Sequence, residues 1–184
     1  IYILGENTTI DGGENYHDSL NMRCLNLLAE YLRNHDYTKS NGYKRKVCRV
    51  MFDYQATYSV FQFSDVSKDV KETLEFVPFN RYEAWARKVF VDCEAKYHEK
   101  RIDYTPLDGY EGIKFEDNQR VHLVIVGMSK MGVAMGVETA HVAHYPNFLR
   151  NPNLRTRITF IDSNMQQERE FFMSRYKSLF DVSR

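Results

Sequence analysis

The chain has no excess of either charge. Its 184 residues hold 25 Lys and Arg against 25 Asp and Glu, a formal net charge of zero. Nucleic-acid binders carry a basic face or stripe, so bulk electrostatics argues against DNA or RNA as a partner. Long apolar runs are missing too. None approaches the ~18 residues that a membrane span requires, so this stretch is not expected to be an anchor. Cysteine is scarce: Cys24, Cys48 and Cys93 are odd in number and far apart. No close pair offers the ligand spacing of a zinc site, and each sits in an apolar pattern, as core thiols in a reducing compartment do. No P-loop and no G-x-S-x-G elbow occurs. An initiator Met and a signal peptide are also missing. The chain opens on an apolar strand run and stops after a helix pattern, as expected of a piece cut from a larger protein.

What is present is an alternation of apolar runs and helical stripes. Residues 1–4 read as a buried parallel strand ending at Gly5. Residues 7–16, with Gly12 and Gly13, read as a turn-rich connection. Asp18 or Ser19 is placed to cap the next helix. Its Leu20, Cys24, Leu27, Leu28, Tyr31 and Leu32 recur at helical spacing and predict one buried stripe. Residues 47–52 form a second strand pattern, entered through the solvated Lys44-Arg45-Lys46. Residues 53–63 are open to helix or strand by propensity, and helix is the expectation. Pro78 is expected near the start of the next helix, along which Tyr82, Trp85, Ala86, Val89, Phe90, Cys93 and Tyr97 make a 3.6-residue stripe. Residues 98–119, with Pro106, Gly109 and Gly112, read as a connector. The expected organisation is a part over 1–105 and a second part over 106–184. In the latter, 121–126 is the strongest strand, 131–144 a helix, 148–157 an extended loop, 158–162 a strand and 165–180 a helix.

The chemistry concentrates where the strongest strand ends, in Val126-Gly127-Met128-Ser129-Lys130-Met131-Gly132. A pyrophosphate needs backbone amides aimed at it with no side chain in the way. Gly127 permits the tight turn, Gly132 lets the helix approach the sheet, and the helix start offers free N–H groups at the positive end of the dipole. The dinucleotide fingerprint is G-x-G-x-x-G. Here Ser129 stands in the middle glycine position, where its hydroxyl is able to donate to a phosphate while its Cβ narrows the approach. The second half of the fingerprint is an acid at the end of the next strand that binds the ribose hydroxyls. Asp162, followed by Ser163, fills it. It lies thirty residues beyond Gly132 rather than about twenty, and the loop between helix and strand accounts for the excess. The candidate site is therefore Gly127, Met128, Ser129, Lys130, Met131, Gly132, Asp162 and Ser163. An acid rather than an Arg favours NAD or NADH, or another adenine nucleotide with free ribose hydroxyls. The bland alternative is that the glycines make a tight turn in an empty fold and Asp162 only caps a helix.

Residues 124–132 with 158–162 resemble the start of an RCK/TrkA-N domain, the cytosolic nucleotide-binding unit of potassium channels and transporters. Residues 1–6, the helix after them and residues 47–52 are similar to the back half of another such domain. The resemblance implies an α/β fold of Rossmann-like, three-layer type with a mostly parallel sheet. The sheet would be permuted, with residues 1–4 beside 121–126, or the chain would hold halves of two tandem units. It also implies a cytoplasmic regulatory domain that binds a nucleotide, forms a homo-oligomer and belongs to a larger membrane-tethered protein.

Catalysis finds little support. A dehydrogenase needs a proton-transfer group beside the nicotinamide, and His122, His141 and His144 form no recognisable arrangement. A fragment of an NAD-dependent oxidoreductase and a degenerate Rossmann scaffold for interactions are the competing expectations.

Overall fold

The parallel ladders begin at the first residues. The computed structural model describes residues 1–5, 17–35, 44–53, 73–97 and 100–182; the expectations for residues 7–16 and 54–63 lie outside them. The chain divides into two units, Ile1–Arg81 and Tyr82–Arg184. Its described elements are mixed helix and strand, with small parallel sheets.

In the first unit, β1 (Tyr2–Ile3), β2 (Lys46–Met51) and β3 (Leu74–Phe79) form a parallel sheet in that order. Inward residues of the strands meet one helix, α1 (His17–Asn34). Ile3, Leu25, Cys48, Val50, Phe52 and Leu74 make the core, with Met22, Leu28, Leu32 and Phe76 against it. Leu25 and Leu74 are essentially removed from water, and such burial stabilises by about 1.5–3 kcal/mol per side chain. Pro78 lies inside β3, opposite Val50, and not at a helix start. Proline is tolerated there because β3 is an edge of this sheet.

The buried face of α1 differs from the predicted stripe. Leu20, Leu27 and Tyr31 are exposed, as is Cys24. The covered positions are Asp18, Asn21, Leu25 and Ala29. Two polar residues take core positions because the strand ends beside them need partners. Asn21 Oδ1 accepts the Gly5 N–H at 2.8 Å, and Asn21 Nδ2 donates to the Met51 carbonyl at 2.7 Å. Asp18 is the second residue of the helix, and its Oδ1 accepts the Asp53 N–H at 2.7 Å.

In the second unit, α2 (Arg81–Phe90, its first residue in the unit before) stops ten residues in. Cys93, three residues beyond its end, adopts φ 52°, a left-handed conformation that no continuing helix allows. The predicted stripe therefore breaks before Cys93 and Tyr97. Tyr97 lies in β4 (Glu94–Tyr97), which pairs antiparallel with β5 (Lys100–Asp103) inside the expected connector.

Then β6 (His122–Val126), α3 (Lys130–Val142) and β7 (Arg157–Ile161) follow, with β6 parallel to β7 from His122↔Arg157 to Val126↔Ile161. The expected loop between α3 and β7 is instead two short 3-10 turns, Pro146–Leu149 and Pro152–Leu154. Asn147 and Arg150 hold it by donating to carbonyls of residues 116–119. The last predicted helix is broken at Tyr176 into α4 (Met165–Arg175) and α5 (Lys177–Val182). β1 and β6 pair in separate sheets, which overturns the single-sheet, permuted arrangement of residues 1–4 beside 121–126.

Candidate functional site

The carboxyl end of β6 runs straight into the glycine turn. Gly127 N–H still donates to the Ile161 carbonyl at 2.8 Å, so the ladder extends one residue past the strand. The chain then reverses through φ +96° at Gly127, where an added Cβ would meet nothing within 4 Å. Its glycine requirement is therefore conformational.

Gly132 is the opposite case. A Cβ there would collide with the Gly127 carbonyl oxygen and sit 3.2 Å from Ile125 Cγ2. One turn on, a Cβ at Gly136 would collide with the Phe160 ring. Gly132, Gly136 and Thr139 form a buried small-residue face of α3, with Ala143 buried just beyond the helix. Gly136, unnoticed in the sequence, has the same spacing signal as Gly132, one turn later.

Ser129 is the N-cap of α3, and its Oγ accepts the Gly132 N–H at 3.2 Å. Accepting leaves the hydroxyl proton available to donate elsewhere. Met128 is buried by its side chain and Met131 half-buried, so these two anchor the turn. Lys130 and Ser163 are exposed.

Asp162 closes the constellation from the neighbouring strand. Its Oδ2 accepts the Met128 N–H at 2.6 Å and its Oδ1 the Asn164 N–H at 2.7 Å. These two backbone donors hold its carboxyl below the usual Asp range, because both favour the charged form. Glycine turn and strand-end acid, thirty residues apart, are thus brought into direct contact.

The histidines are not brought together as a catalytic group. His122 Nε2 lies 2.9 Å from Thr159 Oγ1 across the β6–β7 ladder. His141, in the last turn of α3, lies within electrostatic reach of Glu83. Glu83 is raised above the usual Glu value, by partial desolvation first and by Glu138 second, with His141 opposing. No three His, Cys, Asp or Glu side chains come together to hold a metal among the described residues.

A second polar cluster escaped the sequence reading. Asp18, Asn21, Asp53 and Asn80 meet at the carboxyl ends of β1–β3, where Asn80 Nδ2 donates to the Asp53 carbonyl at 2.9 Å. Its bonds stitch strand ends to α1. The only signal for it in the sequence is an Asp and an Asn three apart in the first turns of an amphipathic helix. No helix of the described residues is long and apolar enough to cross a membrane. No protein-family model, curated protein or solved structure matches the chain.

Proposed function

We propose that the chain is a nucleotide-binding regulatory domain, NAD-type in its site, and not an enzyme. The observation that carries this is the contact of Asp162 with the Gly127–Gly132 turn: phosphate cradle and ribose acid occupy one place at the carboxyl end of two adjacent parallel strands. That is where α/β sheets bind nucleotides. NAD, NADH or another adenine nucleotide would lie with its phosphates at the start of α3 and its ribose toward Asp162 and Ser163. β6, α3, β7 and α4 would be the front of a Rossmann-like, three-layer unit, and β1, α1, β2 and β3 the rear part of another. Binding would act through different affinities for two states of a homo-oligomeric, cytoplasmic part of a larger potassium channel or transporter-like protein.

Calorimetric titration with NADH, NAD, ATP and ADP tests this. Saturable binding of at least one below the millimolar range is the expected result; no binding by any of them refutes it. A second reading has its own support. Both Asp162 oxygens and the Met128 and Gly132 amides are already bonded within the chain, as suits a Rossmann-like scaffold that keeps the turn for structure and serves interactions. The same null titration would favour it.

A further inference from the structure

One carboxylate serves the starts of two helices. Met128, whose N–H meets Asp162 Oδ2, is two residues before α3; Asn164, whose N–H meets Oδ1, is the N-cap residue of α4. Both bonds are short and charge-assisted, and both donors lie at positive dipole ends. The Asn164 side chain makes no cap bond; its Nδ2 donates to Gln167 Oε1 instead. Farther along, α4 meets β7 through Phe172, whose ring lies 5.4 Å from that of Phe160. The helix is therefore held to its strand by an aromatic contact near its far end and by Asp162 at its start.

We propose that Asp162 is a positioning residue, a two-amide clamp that makes the glycine turn and the start of α4 one conformational unit, so that a ligand engaging the turn is felt by α4. The clamp stands on the two bonds alone; its use in signalling rests on the nucleotide reading above. A carboxylate is planar and rigid. A ribose hydroxyl that draws on Oδ2, or a phosphate that draws on the Met128 N–H, shifts that plane and with it the bond to Asn164.

Nuclear magnetic resonance on the full 184-residue chain tests the clamp. In the unsubstituted protein, scalar couplings are expected from the Met128 and Asn164 amide nitrogens to Asp162 Cγ. In Asp162→Ala both amides should exchange about tenfold faster, the scale of one lost hydrogen bond. In Asp162→Asn, which keeps one acceptor oxygen, only one should. The Arg157 and Ala143 amides, bonded to the Val121 and Thr139 carbonyls, should keep their rates and show that the fold persists. Absence of both couplings, or an Ala variant with either amide at its original rate, overturns the clamp. If the Ala variant does not fold, the Asn variant decides, and retention of both amides overturns it. Adding ADP to the unsubstituted protein then tests transmission. Joint weakening of the two couplings supports it, and a change at Met128 without one at Asn164 overturns it. No response anywhere to ADP, ATP, NAD or NADH removes the nucleotide reading and the transmission with it, while the clamp is judged on its couplings.

Discussion

Replacing Gly132 with Ala puts a methyl group where the backbone leaves no room. Elsewhere in a helix the change would help, since Ala is better than Gly by up to about 1 kcal/mol. Here the new Cβ meets the Gly127 carbonyl and lies 3.2 Å from Ile125 Cγ2. Gly127 cannot retreat: its N–H is tied to Ile161, and the next amide is tied to Asp162. Overpacking costs about 1–3 kcal/mol, and a rigid backbone neighbour places this site at the upper end, so a net loss of about 2 kcal/mol is expected after the propensity gain. Gly136→Ala meets the Phe160 ring instead. A side chain is able to tilt, so the expected net loss there is about 0–1 kcal/mol. Gly127→Ala has space but the wrong backbone, φ +96°, and should lose about 1–2 kcal/mol. The assay is urea unfolding followed by fluorescence of Trp85, the one Trp, in the second unit. With a slope of about 1–3 kcal/mol per molar for small proteins, Gly132→Ala should lower the midpoint by about 1 M. A midpoint unchanged or raised would refute the close packing of α3 on β6.

Three further outcomes follow from the same structure. Asn21→Leu should destabilise the first unit by about 2–5 kcal/mol, because the Gly5 N–H and Met51 carbonyl both lose their partner. The exposed control Asn26→Leu should stay within about 0.5 kcal/mol; urea unfolding by circular dichroism compares them. Tyr145 is pushed up to about 12 by desolvation and by Asp108. A raised phenol means that the unfolded chain ionises first, so stability is full below the ordinary value of 10 and falls as pH rises from 10 toward about 12. Tyr145→Phe should flatten that fall, read from urea midpoints across the alkaline range. Cys24 is exposed while Cys48 is buried, with its thiol pushed up by desolvation. A thiol reagent at neutral pH should therefore label Cys24 in the folded protein and Cys48 only after unfolding, as peptide mass spectrometry would read.

The glycine turn and its two flanking strands are legible because their signals are local. An apolar run, a glycine at positive φ and a glycine with no room for Cβ each leave a mark at their own position. Residues 121–132 and 157–162 accordingly fold close to expectation. What failed depended on partners distant in the sequence. Of the predicted α1 stripe only Leu28 and Leu32 pack against the core, because Asn21 and Asp18 occupy core positions to bond strand ends thirty or more residues away, which apolar periodicity does not register. Pro78 suits a place near a helix start as well as an edge strand, since both excuse a missing N–H. The end of α2 carries no glycine or proline to mark it, and the left-handed residue beyond it is Cys93. For the candidate site, Asp162 was found by its strand-end position, but its bonds to Met128 and Asn164 depend on the β6–β7 register and left no trace in the sequence.

The most direct test of a nucleotide site is a map of amide shifts on addition of NADH and of ADP. Shifts concentrated at Gly127–Gly132 and Asp162–Asn164, saturating together, are the expected result. Shifts absent there, or confined to another part of the chain, would contradict a nucleotide site at the glycine turn.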